Sequence, residues 1–146
     1  MPRIPIEKIY MSVAYQFAKL SYAERRKVGS VIVKDEQIVS FGYNGTPHGF
    51  NNSCETLDIS TGELTTNVEV LHAESNALAK IAKSTISSKG ADLYVTMSPC
   101  FQCAKLIIQS GIKNVFYAEE YRDAKGIELL QKANINVTHV LSWNIC

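Results

Sequence analysis

Two short segments hold the residues able to do chemistry: His72-Ala73-Glu74 and Pro99-Cys100-Phe101-Gln102-Cys103. Each sits where a loop turns into a helix. Cys100 and Cys103 are three apart, so they share one face of a first helical turn, where the positive end of the helix dipole favours thiolates. With the imidazole of His72, a ligand of compatible softness, they form a three-ligand grip for one zinc ion. Three ligands leave one tetrahedral position for water, the mark of a catalytic zinc, and the ion lowers the pKa of that water to about 7. Glu74 is two residues from His72, about 200° around a regular helix. At a bent helix entry both reach one pocket, and a carboxylate beside activated water works as general base and later acid rather than as a ligand.

Two other readings compete. Cys100 and Cys103 alone suit a redox pair, which leaves His72 and Glu74 without a role. A structural zinc needs a fourth ligand from His48, Cys54, His139 or Cys146, and none of these has regular ligand spacing.

The elements that must position these groups are legible in the apolar pattern. Ile6, Ile9, Tyr10, Val13, Ala14, Phe17 and Leu20 recur at helical spacing and predict a helix from about Pro5 to Leu20. Val28–Val33 and Gln37–Tyr43 read as strands joined by a tight hairpin at Lys34-Asp35-Glu36, a turn with neither Gly nor Asn to set its type. A long polar loop follows from Asn44 to about Glu69. Then come a helix over about Leu71–Lys83, a strand at Leu93–Met97, and a helix opened by Ser98 as N-cap and Pro99 as first residue, ending at Ser110-Gly111. A strand at Asn114–Ala118, a helix at Asp123–Ala133 and a strand at Asn136–Leu141 complete the chain. The alternation predicts one mixed five-stranded sheet with helices on both faces, its first two strands antiparallel and its last two parallel.

Composition excludes several classes. A chain of 146 residues has the size of one domain and buries roughly 68–70% of its unfolded surface without disulfides. Hydrophobic residues are 46% and charged residues 20%, which is globular. Fifteen Lys and Arg against 14 Asp and Glu leave a net charge of +1, too little to draw in nucleic acid or an anionic membrane. No stretch is apolar enough to span a bilayer and the N-terminus has no signal core, so the expected compartment is a cytoplasm with reduced thiols.

H-x-E followed by P-C-x-x-C resembles the signature of the zinc nucleobase deaminases. The wider resemblance is to the deoxycytidylate (dCMP) deaminases, from about Val13 to Val140. It is carried by KVGSVIV at 27–33, GYNGTPHG at 42–49, LHAESNAL at 71–78, YVTMSPC at 94–100 and CAKLIIQSGIK at 103–113. Asn76 follows the dCMP deaminase pattern. The tRNA adenosine deaminase branch usually has another residue there and Trp-Asn in place of Tyr43-Asn44.

The resemblance implies a three-layer α/β/α cytidine-deaminase-like fold over one catalytic domain, 1–146. It implies one zinc per chain on His72, Cys100 and Cys103, with Glu74 as proton shuttle. The implied reaction is hydrolysis of dCMP to dUMP and ammonia, feeding thymidylate synthesis. Asn44 corresponds to a residue that contacts the substrate sugar, and the backbone of Ala73 to one that reads the cytosine edge. Gly42, Tyr43, Asn44 and Gly45 resemble part of a regulatory nucleotide site. The family pattern adds a homohexamer activated by dCTP and inhibited by dTTP, with Mg2+ accompanying a regulatory triphosphate. Some relatives carry a second, structural zinc; here only Cys54 and His48 remain near the long loop, so none is expected.

The 5′-phosphate needs cationic or hydrogen-bonding groups. Arg25, Arg26 and Lys27 precede the first strand, and Tyr121-Arg122 follows the fourth, on the carboxyl side of the sheet where such folds bind ligands. Arg26 and Tyr121 are the first candidates, with Ser98 as a further substrate-binding residue. The competing substrates are dCTP and deoxycytidine, which share the zinc chemistry, and a tRNA adenosine, which the balanced charge disfavours.

Overall fold

A computed structural model describes residues 2–141. Helix α1 (Ile6–Ala18) leads into strands β1 (Gly29–Lys34) and β2 (Gln37–Tyr43). Two short strands, β3 (Glu55–Leu57) and β4 (Leu64–Thr66), precede helix α2 (Ala73–Ala82) and strand β5 (Asp92–Met97). Helix α3 (Phe101–Gln109), strand β6 (Asn114–Glu119), helix α4 (Lys125–Lys132) and strand β7 (Asn136–His139) follow. The main sheet has the order β2-β1-β5-β6-β7. β1 is antiparallel to both β2 and β5, while β5, β6 and β7 are mutually parallel. This is the mixed five-stranded α/β sheet that the alternation of strands and helices predicts.

The two faces of the sheet carry separate cores because successive strand residues point to opposite sides. On one face α1 sets Met11 and Ala14 against Val31, Val33 and Tyr94. On the other, Ile32, Leu93 and Val115 meet Ala77 and Ile81 of α2, Ala104 and Ile107 of α3, and Leu130 of α4. The sheet polarity gathers one set of ends together. β5 and β6 arrive there by their carboxyl ends; β1, running the other way, arrives by its start, and β2 by its finish. Arg26, Asn44, Ser98 and Glu119 therefore emerge at a single edge.

Four features differ from the sequence-based expectation. The polar stretch after Asn44 is not one loop: β3 and β4 pair within it as a separate two-stranded sheet. Its ends are tied by paired bonds, Gly45 N–H to Leu71 O at 3.0 Å and Leu71 N–H to Gly45 O at 2.8 Å. The β1–β2 turn puts Asp35 at φ 51° and Glu36 at φ 62°, so it takes the left-handed pair of a type I′ turn without Gly or Asn. Helix α3 is capped not by Ser98 but by Cys100, whose Sγ accepts the Cys103 N–H at 3.5 Å. Ser98 Oγ is engaged elsewhere, accepting the Tyr121 N–H at 2.7 Å. The final strand stops at His139, two residues before the expected Leu141.

Helix α2 is seated on the sheet by its backbone. Ser30 Oγ donates to Ala73 O at 2.9 Å and Ser40 Oγ to Ala77 O at 2.7 Å, both buried. Between them, a Cβ on Gly42 would lie 2.2 Å from Ala73 O and 2.6 Å from Ala77 N. Only a glycine permits this approach, so Gly42→Ala must lift the first turn of α2. The expected cost is about 1–3 kcal/mol, as for other overpacked cores, read as a lower urea midpoint at unchanged m-value.

Candidate metal centre and substrate cavity

The starts of α2 and α3 converge at the gathered edge. His72 is the N-cap of α2, with extended backbone (φ −79°, ψ 162°), and Cys100 holds the same position on α3 (φ −74°, ψ 171°). His72 Nδ1 lies 3.5 Å from Cys100 Sγ and 3.4 Å from Cys103 Sγ. Zinc bonds of about 2.3 Å to sulfur and 2.0–2.1 Å to nitrogen, at a tetrahedral angle, put an S···N edge at about 3.5 Å. The three residues thus fit the ion their types imply. Among the described residues they are the one group of three His, Cys, Asp or Glu side chains with ligand atoms mutually in reach.

Electrostatics part the two thiols: the contact with Cys100, then burial, push the Cys103 thiol well above its ordinary value. Donation from Cys103 and His72 pulls the Cys100 thiol down to about 4, against the opposing effect of burial. Contact with Cys100, together with Glu74, holds the His72 pKa above its ordinary value, although burial lowers it. Both helix N-termini bring the positive ends of their dipoles to this point, which favours anionic ligands. Glu74 lies in the first turn of α2 and is 4% exposed. Burial pushes its carboxyl up to about 7, while its backbone contact and nearby His72 pull the other way.

A cavity of about 610 Å³ opens beside these groups. His72, Ala73, Glu74 and Cys100 line it, as do Arg25, Arg26, Tyr121 and Arg122 and the acidic residues Glu55 and Glu120. The bent entry expected for His72 and Glu74 is present, so both reach the cavity although two residues apart. Asn44 also lines it and is fixed by its own side chain, its Oδ1 accepting the Val28 N–H at 2.9 Å and its Nδ2 donating to Arg26 O at 2.8 Å. Ala73 turns its carbonyl to Ser30. Ser98 is buried, lines the cavity and anchors Tyr121 through the bond to its N–H.

The Gly42–Gly45 segment frames this edge. Gly42 meets α2, Tyr43 O accepts from Asn76 Nδ2 at 2.8 Å, Asn44 closes on Arg26 and Val28, and Gly45 pairs with Leu71 next to His72. The remaining candidates for a fourth metal ligand lie apart. His48 is exposed in the segment after β2. His139 stacks on Tyr117 and sets Nε2 2.7 Å from Ala118 O. Cys54 is buried in the cavity wall, its thiol pushed up by burial and by Glu55. Cys146 lies outside the described residues.

Sequence reasoning missed the supports. Ser30 and Ser40, which hold α2, have no local pattern that marks them out within their strands. Gly126 of α4 was also missed: a Cβ there would sit 2.0 Å from Pro99 O and 2.9 Å from Cys100 O, so α4 presses directly on the backbone bearing a ligand. A glycine inside an amphipathic helix, otherwise costly, was the available signal.

A cation site of one imidazole and two thiols at two helix starts, with a buried carboxyl in the same cavity, defines the zinc-dependent deaminase class. The family model of the cytidine and deoxycytidylate deaminase zinc-binding region matches residues 5–119, and the chain belongs to that family. Among curated proteins, it is 35% identical over 145 residues to the ComE operon protein 2 of Bacillus subtilis, covering 96% of this chain and 74% of that one. It is 37% identical over 132 residues to the deoxycytidylate deaminase of Mycobacterium phage D29, covering 82% and 99%. Among solved structures, the dCMP deaminase of cyanophage S-TIM5 in complex with dCMP and dUMP superposes with a TM-score of 0.86 at 42% identity, covering 96% and 100%.

Two variants separate holding the metal from moving protons. Cys103→Ala is expected to lose zinc and activity together. Glu74→Gln is expected to retain one zinc per chain while turnover falls by at least about 10²–10⁴, the scale of general acid–base catalysis. Elemental analysis beside a steady-state assay reads both.

Proposed function

We propose that the chain hydrolyses dCMP to dUMP and ammonia. The observation that carries this reading is the shared cavity, lined both by His72, Glu74 and Cys100 and by Arg25, Arg26 and Arg122. The likeness to deaminases named for dCMP, one of them solved in complex with dCMP and dUMP, supports the same substrate.

His72, Cys100 and Cys103 hold zinc, which when bound brings a water's pKa into the neutral range and so supplies a nucleophile for C4 of cytosine. Glu74 takes one proton from the attacking water and passes it to ring N3, then takes the second from the oxygen now bonded to C4 and passes it to the amine, which departs as ammonia. Its burial keeps the carboxyl out of bulk water, so these transfers stay within the cavity. Asn44, tied to the backbone of Arg26 and Val28, meets the sugar, and the backbone of Ala73 meets the base edge. Arg26 and Tyr121, with Ser98 fixing the Tyr121 backbone, receive the 5′-phosphate. The compartment in this reading is the cytoplasm, where the thiols stay reduced.

The test is ammonia release from dCMP, deoxycytidine, dCTP and a tRNA anticodon stem at equal concentration. A charge-assisted contact contributes roughly 1.5–3 kcal/mol, so two of them favour dCMP over deoxycytidine by about 10²–10⁴ in kcat/KM. Equal rates on these two substrates overturn the phosphate argument, and a preference for RNA overturns the reaction.

Regulation is part of the same reading: a homohexamer activated by dCTP and inhibited by dTTP, with residues 42–45 in the effector site and Mg2+ on the triphosphate. A hexameric mass in solution is expected, with a dCMP saturation curve shifted left by dCTP and right by dTTP. A monomer whose curve neither nucleotide moves refutes it.

A further inference from the structure

Glu119 ends β6 at the edge that carries the site, and its carboxylate is engaged from two sides. The Tyr15 hydroxyl of α1 donates to Oε2 at 2.6 Å, and Arg26 Nη2 donates to Oε1 at 2.7 Å. The Glu119 backbone is anchored as well, its carbonyl accepting the Ser98 N–H at 2.8 Å. Arg26 contributes to the cavity wall, so Glu119 grips from behind a residue that faces the ligand space.

Stability gives a weak account of this arrangement. The two side chains are 52% and 47% exposed, and an ion pair so well solvated adds little to folding. Geometry gives a better one. A guanidinium carries five N–H donors in a fixed planar fork. A carboxylate bound at one nitrogen, itself braced by a tyrosine from another element, fixes the plane in which the rest of the fork points. Holding the fork in advance removes rotamer entropy that ligand binding would otherwise have to overcome. The Asn44 bond to Arg26 O fixes the backbone end of the same residue.

We propose that Glu119 is a positioning residue for phosphate recognition: braced by Tyr15, it aims the Arg26 guanidinium at the 5′-phosphate of the nucleotide substrate. The proposal rests on the dCMP reading. Glu119 touches no substrate and acts through Arg26.

The experiment measures kcat and KM for dCMP and deoxycytidine with zinc-loaded wild type, Glu119→Gln and Tyr15→Phe, and with each substitution in an Arg26→Ala background. Glu119→Gln is expected to lower the dCMP-over-deoxycytidine preference about tenfold, the loss carried by KM for dCMP, in keeping with a charge-assisted contact. Tyr15→Phe is expected to act in the same direction and less strongly. Neither substitution is expected to lower the preference further once Arg26 is gone. An unchanged or increased preference in both variants, an equal loss on both substrates, or a full additional loss in the Arg26→Ala background overturns the role of Glu119. Those outcomes leave the dCMP reading standing if wild type still favours dCMP. A wild-type enzyme without that preference overturns both.

Discussion

The site depends on direct backbone contact between the sheet and the start of α2. Gly42 has no side chain, so the first turn of that helix lies on β2 at a separation no Cβ would allow. Ser30 and Ser40 then take two of its carbonyls in buried hydrogen bonds, which fixes its height and rotation. The position of His72 and the burial of Glu74 follow. On the other side Gly126 allows α4 to press on Pro99 and Cys100, giving the second helix start an equally rigid backing. Two metal ligands on separate elements are held by what lies behind them, as a preorganised site requires.

Such packing concentrates groups that repel one another. Two thiols and a carboxyl share a small volume, and all three cannot ionise there without a compensating charge. Two helix N-termini and His72 supply part of it. A divalent cation supplies the rest, which is why donor identity, donor spacing and electrostatics converge on zinc. Cys54, in the wall of the same cavity, contrasts with Cys100: buried beside Glu55 and away from a helix start, its thiol is pushed up, whereas that of Cys100 is pulled down.

What could be read from the chain was whatever chemistry forces into local spacing. His72 with Glu74, and Cys100 with Cys103, are close in sequence because each pair shares one helix start. The parallel β6–β7 pair was legible because the helix between them demands a crossover. Less could be read where the signal was short or distant. β3 and β4 have three residues each, too few to show alternation. The type I′ turn is built from Asp35 and Glu36, which carry no turn signature. Cys100 displaced Ser98 as the α3 cap because its thiol faces the Cys103 N–H, which residue preference alone does not reveal. Tyr15 and Glu119 are 104 residues apart, and no local pattern joins them.

The paired bonds between Gly45 and Leu71 also divide the chain into parts with different freedom to change. They close the excursion bearing β3 and β4 like a clasp, so the length of its tip, beyond the residues of β3 and β4 that meet Glu24 and Arg25, is felt at the clasp through loop-closure entropy. That entropy grows slowly, by about 0.6 kcal/mol per doubling of loop length. Insertions at the exposed tip, near Ile59 at 93% exposure, leave the register of β2 and the entry of α2 untouched. The same number of residues added between Leu71 and His72 would move a metal ligand. Variation in sequence length can therefore accumulate on one side of the clasp while the other keeps its count.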